Sequence, residues 1–321
     1  MSVVKQKENF NEIVNRIAEY ANTQNKVSTS DLSSNKPFHI EMEKLSRTIW
    51  APPIEGQTFQ TRWFYERARG SYKNARLKEG STPSKRKAFD LKNPRKQLIT
   101  KELTAKYANT FCEVFHGRKL VIGPHIVVRG SQKNYSAFLN YNMPEKPDNV
   151  YFEDIIAKAI IFKTAEQVYG VKPNSIGDMR YLTVPYTIAY IGHQLDWKLD
   201  FYKIWKEQKL IDEFQKILYD LLVLVENYIR ESAPGSLYSE WTKKEECWNG
   251  LKQQECEVDL SGIKSYYNPK NTKRKIISEE EIDKQQIQQD YELIKSISPQ
   301  IWKNIEKWGR ETGQLGSYSR D

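Results

Sequence analysis

The stretch Ile211–Ile229 leaves the fewest options for folding. Ile211, Phe214, Ile217, Leu218, Leu221, Leu222, Val225, Tyr228 and Ile229 recur at helical spacing and form one wide apolar stripe. A stripe of that width has to pack against more than one neighbour, so this helix requires other helices around it. Phe152, Ile155, Ile156, Ala159, Ile160 and Phe162 form a second stripe. Ser298-Pro299 starts a third helix, with Ile301, Trp302, Ile305 and Trp308 expected on its inner face. From Tyr151 onward the pattern is almost wholly helical, interrupted by APGS (233–236) and by a loop within 257–277 that ends in the basic run NPKNTKRK. Ser278 and Glu281 have the spacing of a capping box.

The first half is more mixed. Ile13, Val14 and Ile17 give a helix over Phe10–Tyr20, and the polar run ANTQNKVSTSDLSSN (21–35) reads as a structured loop. Phe38, Met42, Leu45 and Ile49 mark a helix that ends before Pro52-Pro53. Residues Gly70–Arg95, with GSTPS at 80–84, read as an exposed loop carrying basic side chains. Thr100 caps a helix running to about Thr110. The β-branched runs LVI (120–122) and IVV (126–128), separated by Gly123-Pro124, are the strand candidates. The expected fold is mostly α with a small β element (α+β) and a multi-helix C-terminal half. Two parts follow: 1–145, basic and mixed α/β, and 146–321, helical.

The charge is unevenly spread. Between Arg62 and Lys133 stand 18 Lys plus Arg against 5 Asp plus Glu, a local balance of +13 in a chain whose net charge is +9. The remainder is therefore at −4, and all of the positive excess sits in one segment. Such a concentration points to a polyanion, with an acidic protein face as the other reading. No run of 18 apolar residues and no signal-peptide core exists, so the expectation is a cytoplasmic protein without a membrane partner. Cys112, Cys247 and Cys256 are an odd count with no CxxC pair and read as reduced thiols.

Nucleotide-binding, zinc-protease and serine-hydrolase motifs are absent. His39, His116, His125 and His193 are far apart, without metal-ligand spacing. Pro147-Asp148 and Asp196-Trp197-Lys198 spell the PD…DxK pattern, in which two carboxylates hold a divalent ion and a lysine stabilises charge. Their surroundings read as helix and loop, where such a nuclease needs strands. Asp148, Asp196 and Lys198 are thus candidate catalytic residues only under a nuclease alternative. That alternative is also the only reading that calls for a cofactor, a divalent metal.

The basic segment opens on WFYERARGSY (63–72), with four aromatics, two arginines and one glutamate. Cations interleaved with rings suit single-stranded nucleic acid, and they equally suit an aromatic–arginine knot inside a fold. The candidate nucleic-acid contacts are Arg62, Arg67, Arg69, Tyr72, Lys73, Lys85, Arg86, Lys87, Arg95, Lys96, Arg129 and Lys133. The expected division of labour has the rings anchoring the fold and Arg67 or Arg69 facing the ligand.

RWFYERARGSY (62–72), KNPRKQLITKELTAKY (92–107) and PHIVVRGSQKNYSAF (124–138) resemble, in that order, the AIPR family of abortive infection phage resistance proteins. EYANTQNKVSTSDLSSNKPFH (19–39), WTKKEECWNGLK (241–252) and IWKNIEKWGRETGQL (301–315) are similar to flanking parts of the same family. The resemblance implies prokaryotic anti-phage defence, by abortive infection or a restriction-like route. It also implies that this chain corresponds to the later part of such a protein, with any upstream catalytic centre outside these residues. The implied partners are DNA or RNA together with other proteins of the defence system. The alternatives are a protein-interaction scaffold in a defence complex or a PD-(D/E)xK-like nuclease.

Overall fold

The computed structural model describes residues 33–53, 60–170, 179–270 and 298–312, with Arg274 and single positions between 276 and 295. The helix expected over Phe10–Tyr20 and most of the polar run after it lie outside the described residues. Contacts divide the chain into a unit of residues 1–275 and a smaller one of 276–321.

Helix α1 (Pro37–Thr48) starts on a proline, whose fixed φ suits the first helical turn, and buries Phe38, Met42 and Leu45 as their spacing requires. Strand β1 (Phe64–Glu66) is followed by α2 (Ser71–Glu79) and α3 (Pro83–Lys92). These two helices replace the loop expected over Gly70–Arg95. Local chemistry makes them: the Thr82 hydroxyl caps α3 by accepting from the Lys85 N–H at 3.3 Å, and Pro83 opens its first turn. Arg76 on α2 donates two hydrogen bonds to Asp90 on α3 at 2.6 and 2.7 Å, which fixes the hairpin.

β2 (Leu98–Thr100) pairs parallel to β1, with Phe64 opposite Leu98 and Glu66 opposite Thr100. Thr100 then caps α4 (Lys101–Thr110), its hydroxyl accepting from the Leu103 N–H at 3.2 Å. Thr100→Ala is expected to lower unfolding free energy by about 1 kcal/mol, read as a shifted urea midpoint with an unchanged slope. β3 (Val114–His116) and β4 (Lys119–Ile122) form an antiparallel hairpin that turns at Gly117, whose φ of +61° is the conformation glycine adopts at no steric cost. LVI is therefore strand, as expected. IVV is helix: Gly123-Pro124 opens the short α5 (Pro124–Val127), because a proline at the first helical position starts a helix more readily than it continues a sheet. Next comes α6 (Ser131–Tyr141).

α7 (Asn149–Gly170) buries Phe152, Ile155, Ile156, Ala159, Ile161 and Phe162, with apolar side chains around its whole circumference. A helix of that kind must be surrounded. It is: α4, α8 (Arg180–Gln194), α9 (Phe201–Glu207) and α10 (Asp212–Ser232) all pack against it. The stripe of α10 is buried from Phe214 to Ile229, as its periodicity demanded. APGS becomes a 3-10 turn, and α11 (Tyr238–Thr242) and α12 (Glu245–Lys252) follow, with Trp248 fully buried. The fold is mostly α with two small two-stranded sheets among the described residues.

In the smaller unit, Ser278 and Glu281 form the capping box reciprocally, each side chain accepting from the other's N–H at 3.2 Å. Helix α13 (Pro299–Thr312) forms where Ser298-Pro299 placed it. Its stripe does not face inward: Trp302 is 42% and Trp308 50% exposed. A unit this short has little surface with which to cover them.

Candidate nucleic-acid interface

The aromatic–arginine motif resolves from its local geometry. Trp63, Phe64 and Tyr65 are buried on and beside β1. The chain then turns at Gly70, with φ of +80°, into α2. Glu66 closes that turn: its carboxylate accepts from the Tyr72 N–H at 3.2 Å, where the helix N-terminus favours negative charge. Tyr72 packs edge-on against Phe64 and Phe89 and donates its hydroxyl proton to the Asn93 carbonyl at 2.7 Å. The guanidinium of Arg47 lies 3.7 Å over the Phe64 ring.

Tyr65 joins a buried polar chain. Its hydroxyl lies 2.6 Å from His39 Nδ1, and His39 Nε2 lies 2.7 Å from the Tyr135 hydroxyl, which in turn meets Ser33 Oγ at 2.5 Å. His39 is fully buried and stacks on both phenol rings. Burial, aided by the charges of Lys101, Lys36 and Arg67, pulls its pKa from 6.5 to about 3, so the imidazole stays neutral, with one nitrogen donating and the other accepting.

The arginines of the motif part company. Arg67 is held by Glu43 at 2.7 Å, by the Ser34 carbonyl at 3.1 Å and by Asn35 Oδ1 at 3.0 Å. Arg69 is exposed and makes no ion pair among the described residues. Arg62 is buried, its guanidinium 3.9 Å over the Trp50 ring.

Two open clefts adjoin the motif, and Glu66 lines both. One, of about 650 Å³, is walled by Tyr72, Lys73, Arg76, Asp90 and Arg95. The other, of about 430 Å³, is lined by Arg69, Thr100, Lys101, Glu102, Leu103, Ser131 and Gln132. It lies against the first turns of α4 and α6, whose dipoles favour negative charge, and Glu102 in the first turn of α4 already supplies some. Lys73, Arg95 and Arg69 are exposed around these clefts, whereas Arg76 is committed to Asp90. Lys85 and Lys87 stand exposed on α3, and Lys96 and Lys133 are exposed as well. Arg86 Nε donates to the Gly80 carbonyl at 3.0 Å, and exposed Arg129 donates to the Lys243 carbonyl at 2.7 Å. Lys101, Ser131 and Gln132 also line the second cleft but were not among the candidate contacts.

A family profile described as AIPR protein matches residues 1–233. The chain belongs to the AIPR family. That assignment carries the setting of abortive infection and phage resistance. No curated protein and no solved structure matches the chain. The three segments that carried the resemblance converge in the AIPR structure: 62–72 supplies β1 and the turn, 92–107 supplies β2 and most of α4, and 124–138 supplies α5 and most of α6. Their meeting place is the cleft shared by Arg69, Thr100, Lys101 and Ser131.

The nuclease candidates have local roles. Asp148 caps α7, its carboxylate accepting from the Tyr151 N–H at 2.8 Å. Asp196 and Lys198 stand on the turn after α8, 3.8 Å apart, with the Asp196 side chain 74% exposed. None of the three lies on a strand, and among the described residues no group of three or more His, Cys, Asp or Glu is placed to hold a metal. The cysteines are free thiols, and no helix among the described residues is long and apolar enough to cross a membrane.

Proposed function

We propose that this AIPR chain contributes to anti-phage defence by binding nucleic acid through the basic surface of residues 62–133. The observation that carries the reading is the separation of cations by role. Arg62, Arg67 and Arg76 are engaged within the fold, while Arg69, Lys73 and Arg95 line open clefts without an acidic partner among the described residues. Phosphate oxygens satisfy such groups, and the release of condensed counterions drives the association.

The test is binding of labelled DNA and RNA over a salt series. Affinity is expected to fall linearly with log salt. The triple charge reversal Arg69→Glu, Lys73→Glu and Arg95→Glu is expected to weaken binding at least about tenfold and to flatten the salt slope by roughly 2 to 3 units. Arg67 stays untouched, because its loss would disturb the fold. Unchanged affinity in the triple variant, or no binding at low salt, would overturn the reading.

A scaffold role in a multi-protein defence complex is the second reading, and the exposed stripe of α13 favours it. Ile301, Trp302, Ile305 and Trp308 present apolar surface of the kind partner proteins cover. Capture of proteins encoded beside this chain, surviving nuclease treatment and lost in Trp302→Ala/Trp308→Ala, separates it from the first. The PD-(D/E)xK-like nuclease has no assembled centre among the described residues to recommend it.

A further inference from the structure

With Trp63, Phe64 and Tyr65 buried and Tyr72 tied down, the motif's own rings offer no stacking platform for bases. Exposed rings in and just after the basic segment stand elsewhere. Phe115 is 56% exposed on β3, and Tyr141, at the end of α6, is 44% exposed. The imidazole of exposed His116 lies 5.8 Å from the Tyr141 ring. Arg118 and Lys119 follow directly across the Gly117 turn, both exposed and without an ion pair among the described residues.

Phe115 differs in burial from the residue it pairs with. Its cross-strand partner Leu120 is 1% exposed, and cross-strand partners ordinarily share a face of the sheet. The register shifts between Val114 and Phe115 and leaves Val121 of β4 as the extra residue, and such a bulge kinks the hairpin and increases its local twist. The hairpin tip therefore presents the exposed Phe115 ring, the neighbouring His116–Tyr141 pair and two cations unpaired among the described residues, a set suited to flat π-faces attached to phosphates.

We infer that the β3–β4 hairpin tip, with Tyr141, is a stacking site for unpaired bases of single-stranded nucleic acid. Phe115 and Tyr141 provide the ring faces, and Arg118 and Lys119 meet the flanking phosphates. Unpaired bases suit this site because a ring can stack on every base, whereas a duplex exposes base faces only at its ends. The inference rests on the nucleic-acid reading above and assigns it a substrate class.

The experiment compares labelled oligo-dT, oligo-U and a blunt DNA duplex of equal length, by fluorescence anisotropy, on the full chain and on Phe115→Ala, Tyr141→Ala and the double variant. Truncating either exposed ring leaves the core intact, which an unchanged melting temperature verifies. Each single variant is expected to bind the single strands roughly fivefold more weakly or worse, with duplex binding little changed, and Phe115→Trp is expected to restore affinity. The two single-strand arms show whether DNA or RNA is preferred. If single-strand binding is unchanged in the double variant while the Arg69/Lys73/Arg95 reversal still abolishes it, the stacking site is wrong and the basic surface stands. Equal loss on strand and duplex also overturns it, and absence of binding to all three probes sinks both readings.

Discussion

His39→Ala is expected to remove about 4 kcal/mol of unfolding free energy, a large share of the roughly 5–15 kcal/mol available to a domain. The imidazole is fully buried and engages the hydroxyls of Tyr65 and Tyr135, themselves 1% and 0% exposed. Truncation takes one hydrogen-bond partner from each hydroxyl, leaving Tyr135 with Ser33, at about 0.5–1.5 kcal/mol each, and adds a cavity. His39→Phe restores volume but not the hydrogen bonds, so the difference between the two variants in urea unfolding isolates the cavity's share.

The same residue makes stability depend on pH. The folded state keeps His39 neutral down to about 3, and burial, chiefly, also depresses His125, to about 4. The unfolded chain protonates both below 6.5 and therefore binds more protons than the folded one. Stability is accordingly full above pH 6.5 and falls below it, by about 1.4 kcal/mol per pH unit for each histidine. Burial raises the Glu153 and Asp154 carboxyls and acts in the opposite sense, but only lower, in the carboxylate range. A urea midpoint that stays flat on acidification below 6.5 would show that neither histidine is held neutral.

Glu113→Ala is the second large loss, expected at about 3 kcal/mol. The Glu113 carboxylate accepts from the Trp248 indole N–H at 2.6 Å and from Lys252 Nζ at 2.7 Å, tying the chain just before β3 to α12. The Glu113 and Lys252 side chains are only 15% and 19% exposed, so removing the carboxylate leaves a poorly hydrated ammonium and an indole donor without their acceptor. Glu113→Gln keeps an acceptor for Trp248 and is expected to cost less. Pairing Glu113→Ala with Lys252→Met should recover part of the loss, because the orphaned charge is then gone as well. Independent, additive effects in that double-mutant cycle would mean that the two side chains do not share the interaction.

The helices legible in advance were those whose pattern is local. The stripe on α10, the Thr100 cap and the Ser278–Glu281 box all formed as written, because each depends on residues within a turn or two. Errors fell where partners are distant or context decides. The α2–α3 hairpin was hidden because its apolar content is slight and its closure depends on Arg76 meeting Asp90, 14 residues away. IVV carried strand-forming side chains but followed Gly123-Pro124, and the helix start prevailed. At the candidate site the sequence displayed the cations but not their assignments. Whether an arginine is structural depends on partners such as Glu43 for Arg67 and Trp50 for Arg62, and neither is adjacent in the chain.

By itself, the sequence determined a mostly helical chain, its membership of the AIPR family and the confinement of its positive excess to residues 62–133. Periodicity, ordered motifs and charge counts are written along the chain and need no fold to exist. Only the tertiary structure decided that WFYERARGSY is a buried knot closed by Glu66, that Arg67 is paired with Glu43 while Arg69 is exposed, and that exposed rings stand on the β3–β4 hairpin and α6. Burial and pairing depend on what the folded chain brings alongside each residue, and those neighbours come from segments far apart in sequence.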